Sequence, residues 1–99
     1  MDPFNPIRIT NVNMRPLAGE AGEKIKAYCD IILNNSFAVT GLKIVAGKKA
    51  LYVKYPWRRG VRDGSYYPVF MPLSRTFSFL INDALIKRYL ETVLFAALE

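Results

Sequence analysis

All six prolines and all six glycines of this chain precede Ser74, and the residues from there to Glu99 contain neither. A long helix needs such a stretch, because proline removes a backbone donor and clashes with the preceding turn, while glycine costs backbone entropy. A helix is therefore expected over residues 74–96, with the Ser74 hydroxyl capping its first turn. The punctuated residues 7–73 must supply strands and turns. Residues 1–6 are expected to form a flexible tail, and Ala97-Leu98-Glu99 resembles vector-encoded residues ahead of an affinity tag. With 99 residues the chain is read as a single domain over 1–99.

Within residues 7–73, Ile7, Ile9 and Val12 suggest a first short strand, and residues 16–22 read as a turn-rich break. The next run alternates with period two. Ile25, Ala27, Cys29, Ile31 and Leu33 share one face, and Lys24, Lys26, Tyr28 and Asp30 the other. Asn34-Asn35-Ser36 is a tight turn into a strand over residues 37–46. That strand changes phase: Phe37 and Val39 alternate together, but Leu42, Ile44 and Ala46 have the opposite parity. A β-bulge or bend is expected between them, at Thr40-Gly41. After a turn at Gly47-Lys48-Lys49, Leu51, Val53 and Tyr55 face inward, with Tyr52 and Lys54 outward. A last strand holds Tyr67, Val69 and Met71 and ends at Pro72.

On the helix, Asp83, Lys87 and Glu91 stack at i, i+4 spacing on the wet face. Phe77, Ile81, Ala84, Leu85, Tyr89 and Val93 spread over a broad remainder, wide enough for cover by the sheet and by a partner. The expected fold class is α+β, a small antiparallel meander of about five strands followed by a C-terminal α-helix, in a homodimer that covers an edge strand or the helix.

Several function classes are disfavoured. The chain has no histidine, which removes Ser-His-Asp and Cys-His catalysis and the commonest zinc ligand. With one cysteine, Cys29, neither a zinc site nor an intrachain disulfide is expected, and the chain reads as cytosolic. The acids are scattered, with no close pair for general acid–base work. No enzyme, cofactor or metal is expected. No signal peptide is read at the start. The apolar C-terminal third is interrupted by Asn82, Asp83, Lys87, Arg88 and Glu91, so no integral membrane association is expected.

The positive charge is concentrated. Of the 14 basic residues, Lys43, Lys48, Lys49, Lys54, Arg58, Arg59, Arg62 and Arg75 lie within residues 43–75, which hold a single acid, Asp63. That window carries +7 and the rest of the chain −1, so the net charge of +6 comes from this third of the sequence. Such clustering suits a polyanion, because each neutralised phosphate releases condensed counterions. Residues 56–65 join two expected strands by a connection longer than most hairpin loops, with Arg58, Arg59 and Arg62 inside it. Guanidinium forks match phosphate oxygens and the guanine edge, so the loop reads as a basic finger; the alternative is a solvated hairpin tip. Trp57 at its neck either stacks on an unpaired base or packs beneath the loop.

Other positions have two readings. Lys24, Lys26, Tyr28, Lys43, Tyr52, Lys54 and Tyr66 would share the outer sheet face, as in single-strand binders and also in any exposed sheet. Lys87 and Arg88 either touch phosphate or pair with Asp83 and Glu91. Arg58, Arg62 and the Asp63-Gly64-Ser65 turn could hold a small phosphorylated ligand. Cys29 alternates with apolar residues and belongs to the core.

The order of these features resembles the stage V sporulation protein G (SpoVG, septation protein) family, from residue 7 to 89. The resemblance is carried by Ile7-Arg8-Ile9-Thr10-Asn11-Val12, by residues 37–47, by Leu51-Tyr52-Val53, and by Pro56-Trp57-Arg58-Arg59 with Asp63-Gly64-Ser65-Tyr66. Pro72-Leu73-Ser74 and Ile81, Ala84-Leu85 and Tyr89 complete it. The family usually has an acidic segment where this chain has Tyr67-Pro68-Val69-Phe70, and a small polar residue in place of Trp57. The resemblance implies a non-enzymatic homodimer that binds DNA, and in some members RNA, and regulates septation, sporulation or envelope genes. It places Arg58 and Arg59 on the family's basic pair and Lys87-Arg88 in an implicated helix region.

The sequence therefore leads to a cytoplasmic, nucleoid-associated, site-specific nucleic-acid-binding regulator. Arg58, Arg59 and Arg62 are its main contacts, and Lys48, Lys49 and Lys54 neutralise further phosphates. The alternative is a protein-interaction module of cell division whose basic loop meets an acidic protein or a membrane surface.

Overall fold

The computed structural model describes residues 7–17 and 24–98. The expected tail, most of the turn-rich break and Glu99 lie outside the described residues. Strands β1 (Ile9–Pro16), β2 (Ile25–Leu33), β3 (Phe37–Ala46) and β4 (Leu51–Lys54) form one antiparallel sheet in the order β1-β2-β3-β4. A two-stranded ribbon follows, β5 (Trp57–Arg59) with β6 (Tyr66–Pro68), and then the helix α1 (Arg75–Leu98). The fold class is α+β.

Local chemistry explains the turns. Asn34 and Asn35 have φ of 52° and 51°, and the Ser36 N–H donates to the Leu33 carbonyl at 2.9 Å. Asparagine tolerates that left-handed backbone, which matches the twist of the flanking strands. The phase change in β3 is a bulge. Cys29 pairs with Leu42 and Ile31 with Val39, so Thr40 and Gly41 together oppose Asp30. Gly41 takes φ 84°, which a residue with a Cβ rarely adopts. Pro16 sits in β1 rather than opening the break, because an edge strand tolerates a missing donor.

The bulge keeps the core in register. Ala27, Cys29, Ile31, Leu42, Ile44 and Val53 project from one sheet face onto Phe77, Ile81 and Leu85 of α1. Ile81 and Leu85 are fully buried, each stabilising the fold by roughly 1.5–3 kcal/mol. Ser74 caps the helix: its hydroxyl accepts from the Phe77 N–H at 2.9 Å and its carbonyl from the Ser78 N–H at 3.0 Å.

Two expectations need correction. The last strand does not extend the meander. It is Tyr66–Pro68, pairs with β5 inside the expected loop, and leaves Val69 and Met71 exposed. Pro56 and Pro68 lack ladder donors, and the Val69 N–H closes the neck on the Pro56 carbonyl at 2.9 Å. The sheet does not reach Val93, which is exposed in the single chain, because a helix of 24 residues is roughly 36 Å long and overruns a sheet four strands wide. Asp83, Lys87 and Glu91 share the wet face, but among the described residues the one ion pair is Arg15–Asp30. No helix among the described residues is long and apolar enough to cross a membrane.

Candidate functional site

Arg58 and Arg59 lie on a strand rather than on a loop. In β5, Trp57 opposes Pro68, Arg58 opposes Tyr67 and Arg59 opposes Tyr66. Successive strand residues project to opposite faces, so Trp57, Arg59 and Tyr66 share one side of the ribbon and Arg58 and Tyr67 the other. Arg62 sits in the connecting turn, and all three arginines are exposed. None has a carboxylate within ion-pair distance among the described residues.

Asp63, the one acid of the basic window, is held inside the turn. Its carboxylate accepts from the Tyr67 hydroxyl at 2.6 Å and from the Ser65 N–H at 3.0 Å. The Tyr67 contact, then the Ser65 N–H, holds the Asp63 carboxyl below the usual range, while the same contact pushes the Tyr67 hydroxyl up. Gly60 and Gly64 close the turn: the Gly60 N–H donates to the Ser65 carbonyl at 2.7 Å and the Gly64 N–H to the Gly60 carbonyl at 3.2 Å. A Cβ on Gly60 would lie 2.6 Å from the Tyr67 ring, so this clamp requires glycine. The Arg59 guanidinium lies over Gly64, 3.2 Å from where a Cβ would be. The N–H groups of Gly60, Gly64 and Ser65 are thus engaged internally beside a carboxylate, which argues against the small phosphorylated ligand considered from sequence.

Beside the ribbon the sheet's outer face carries a cross-strand row. Arg15 opposes Tyr28, Tyr28 opposes Lys43, and Lys43 opposes Lys54, one residue from each strand. The Lys43 ammonium lies 6.0 Å from the Tyr28 ring centre. Arg15 is engaged by Asp30 through two hydrogen bonds of 2.7 and 3.2 Å, which holds the Asp30 carboxyl below the usual range. The row ends in a groove between sheet and ribbon of about 720 Å³, lined by Gly41, Lys43, Lys54, Tyr55, Pro56, Trp57 and Tyr66.

The other sequence-predicted residues lie elsewhere. Lys48 and Lys49 are exposed in the β3–β4 turn, at the end of β4 away from the ribbon. Lys87 and Arg88 are exposed on α1. Arg88 reaches the Val12 carbonyl of β1, at the sheet edge opposite β4, at 3.5 Å. Lys54 alone among the secondary positions joins the ribbon. Trp57 does not pack beneath the turn; it is 52% exposed at the groove.

The model of the SpoVG family matches residues 7–91. The chain belongs to the SpoVG family. Its relatives carry septation protein SpoVG as a provisional name. The one from Archaeoglobus fulgidus is 42% identical over 83 residues, covering 84% of this chain and 94% of that protein. The one from Symbiobacterium thermophilum is 34% identical over 83 residues, covering 84% of this chain and 57% of that longer protein. The one from Staphylococcus saprophyticus is 30% identical over 86 residues, covering 87% and 82%. The SpoVG match contains the sheet, the ribbon and most of α1, and so every residue of the groove.

Two parts of this SpoVG surface were not anticipated from sequence. Arg15 was not singled out, and the Asp63–Tyr67 clamp was missed. The signal for the first was register: a bulge at Thr40-Gly41 sets Lys43 opposite Tyr28, and Arg15 follows. For the second, aspartate and tyrosine separated by a glycine-containing turn were the only sign.

Proposed function

We propose that this chain is a non-enzymatic nucleic-acid-binding regulator of the SpoVG type, reading DNA, with RNA as a second ligand, and acting in septation, sporulation or envelope gene control. The observation that carries the reading is the ribbon: Arg58, Arg59 and Arg62 project from it without carboxylate partners among the described residues, while the exposed Asp63 carboxylate is engaged by Tyr67 and Ser65. A β-ribbon of this width enters a groove of duplex DNA, and exposed guanidinium forks meet phosphates or guanine edges there. The relatives' names support the septation setting. The working place is the cytoplasm, on the nucleoid.

The working unit is a homodimer. Phe79, Leu90 and Leu94 are exposed on α1 away from the sheet, a surface a second copy would cover. Two ribbons then serve a bipartite site if they stand near one helical turn apart. The test is fluorescence anisotropy on duplex DNA selected from a random pool, comparing wild type with Arg58→Ala/Arg59→Ala. At least tenfold weaker binding is expected, with an unchanged dimer and melting temperature. Equal affinity would remove the ribbon from the mechanism.

A further inference from the structure

The groove between sheet and ribbon has features that backbone contact with a duplex does not use. Lys43 and Lys54 stand directly opposite each other across β3 and β4. Like charges in that position destabilise a sheet. Neither lysine has a carboxylate within ion-pair distance among the described residues. An anion between them would relieve the repulsion. At the other wall, Trp57 and Tyr66 share one side of the ribbon and are 52% and 66% exposed, so large aromatic surface faces solvent beside paired cations. The volume, about 720 Å³, lies in the range of clefts that hold small ligands, roughly 300–1,000 Å³.

We infer that this groove seats an unpaired nucleotide of a single strand, its base against Trp57 and Tyr66 and its phosphate between Lys43 and Lys54. The inference rests on the nucleic-acid reading above and adds strandedness to it. Aromatic platforms bind single strands because an unpaired base offers a free face, whereas a base stacked in a duplex has its faces covered by neighbours. The ribbon arginines reach the backbone of either form. The groove distinguishes them, and it favours single-stranded or locally melted segments. RNA and DNA strands present the same base face and phosphate, so either can be the source.

Trp57 is the chain's only tryptophan, which makes its fluorescence a direct reporter of stacking. The full-length chain is titrated with oligo(U), oligo(dT) and a mixed-sequence duplex of equal length, while anisotropy of labelled strands follows binding. Saturable quenching of Trp57 by oligo(U), oligo(dT) or both, with little quenching by bound duplex, is expected, and the strand that quenches identifies the source. Lys43→Gln/Lys54→Gln should weaken single-strand binding about tenfold and lower its log–log salt slope by roughly 1.4. Single strands that bind without quenching, or a duplex that quenches equally, would overturn the groove assignment. Duplex binding with no single-strand binding would also overturn it while leaving the ribbon reading intact; no binding of any form would overturn both. The wild-type quenching experiment decides the matter even if the lysine variants fold poorly.

Discussion

Salt dependence converts the ribbon geometry into a number. Arg58, Arg59 and Arg62 are exposed and lack carboxylate partners among the described residues, so each can neutralise one phosphate. With about 0.9 counterion released per contact, a single protomer should show a log–log salt slope near −2.7, and a dimer using both ribbons a slope near −5.4. Raising salt from about 50 to about 200 mM would then weaken duplex binding roughly 40-fold for one ribbon and well over a thousandfold for two. Arg58→Ala/Arg59→Ala leaves Arg62 alone, and the slope should fall to about −0.9 per ribbon. The assay is anisotropy on a fixed duplex at five salt concentrations. A wild-type slope shallower than −1, or one that the double substitution does not change, would refute the assignment of these arginines as phosphate contacts.

Three further outcomes follow from the packing and the clamp. Leu85→Ala, at a fully buried position, should destabilise by about 3 kcal/mol and lower the melting temperature by roughly 12–24 °C, whereas Leu90→Ala, on the outward side, should cost under about 1 kcal/mol in the monomer; equal losses in thermal melts would contradict the assigned helix faces. Burial pushes the Cys29 thiol up to about 11, and its sulfur lies 3.4 Å from that of Met14. Near pH 8 it should react with a thiol reagent at least about a hundredfold more slowly in the native chain than in urea, and rapid native labelling would mean the core is open. The Asp63 carboxyl should titrate below the ordinary carboxylate value by NMR, because the Tyr67 hydroxyl and the Ser65 N–H favour its charged form. The turn's contribution is therefore present above that ordinary value and lost as pH falls through the lower folded one. Tyr67→Phe should move the midpoint upward, and an unmoved midpoint would remove the clamp.

Elements governed by local chemistry were legible in the sequence. The alternation from Ile25 to Leu33 located β2 and its buried face, because period two on a half-buried strand leaves few alternatives. The parity change around Thr40-Gly41 located the bulge, and Ser74 located the helix start within one residue. The ribbon was not legible as such. Trp57-Arg58-Arg59 is only three residues long, too short for an alternation signal, and its pairing with Tyr66-Tyr67-Pro68 depends on a turn closed by Asp63. The limit of the sheet's cover along α1 was not legible, because apolar residues occur all around that helix and nothing in their spacing says where the sheet ends. For the site, charge density picked out Arg58, Arg59, Arg62 and Lys54. It also picked out Lys48 and Lys49, which register places at the far end of β4. Sequence proximity stood in for spatial proximity there, and a hairpin reverses it.

A backbone-amide NMR map of the intact chain during titration with duplex DNA would locate the contact surface without any substitution. The largest shifts are expected on residues 57–66, and the β3–β4 turn should move little. Shifts confined to α1, with the ribbon unmoved, would contradict it.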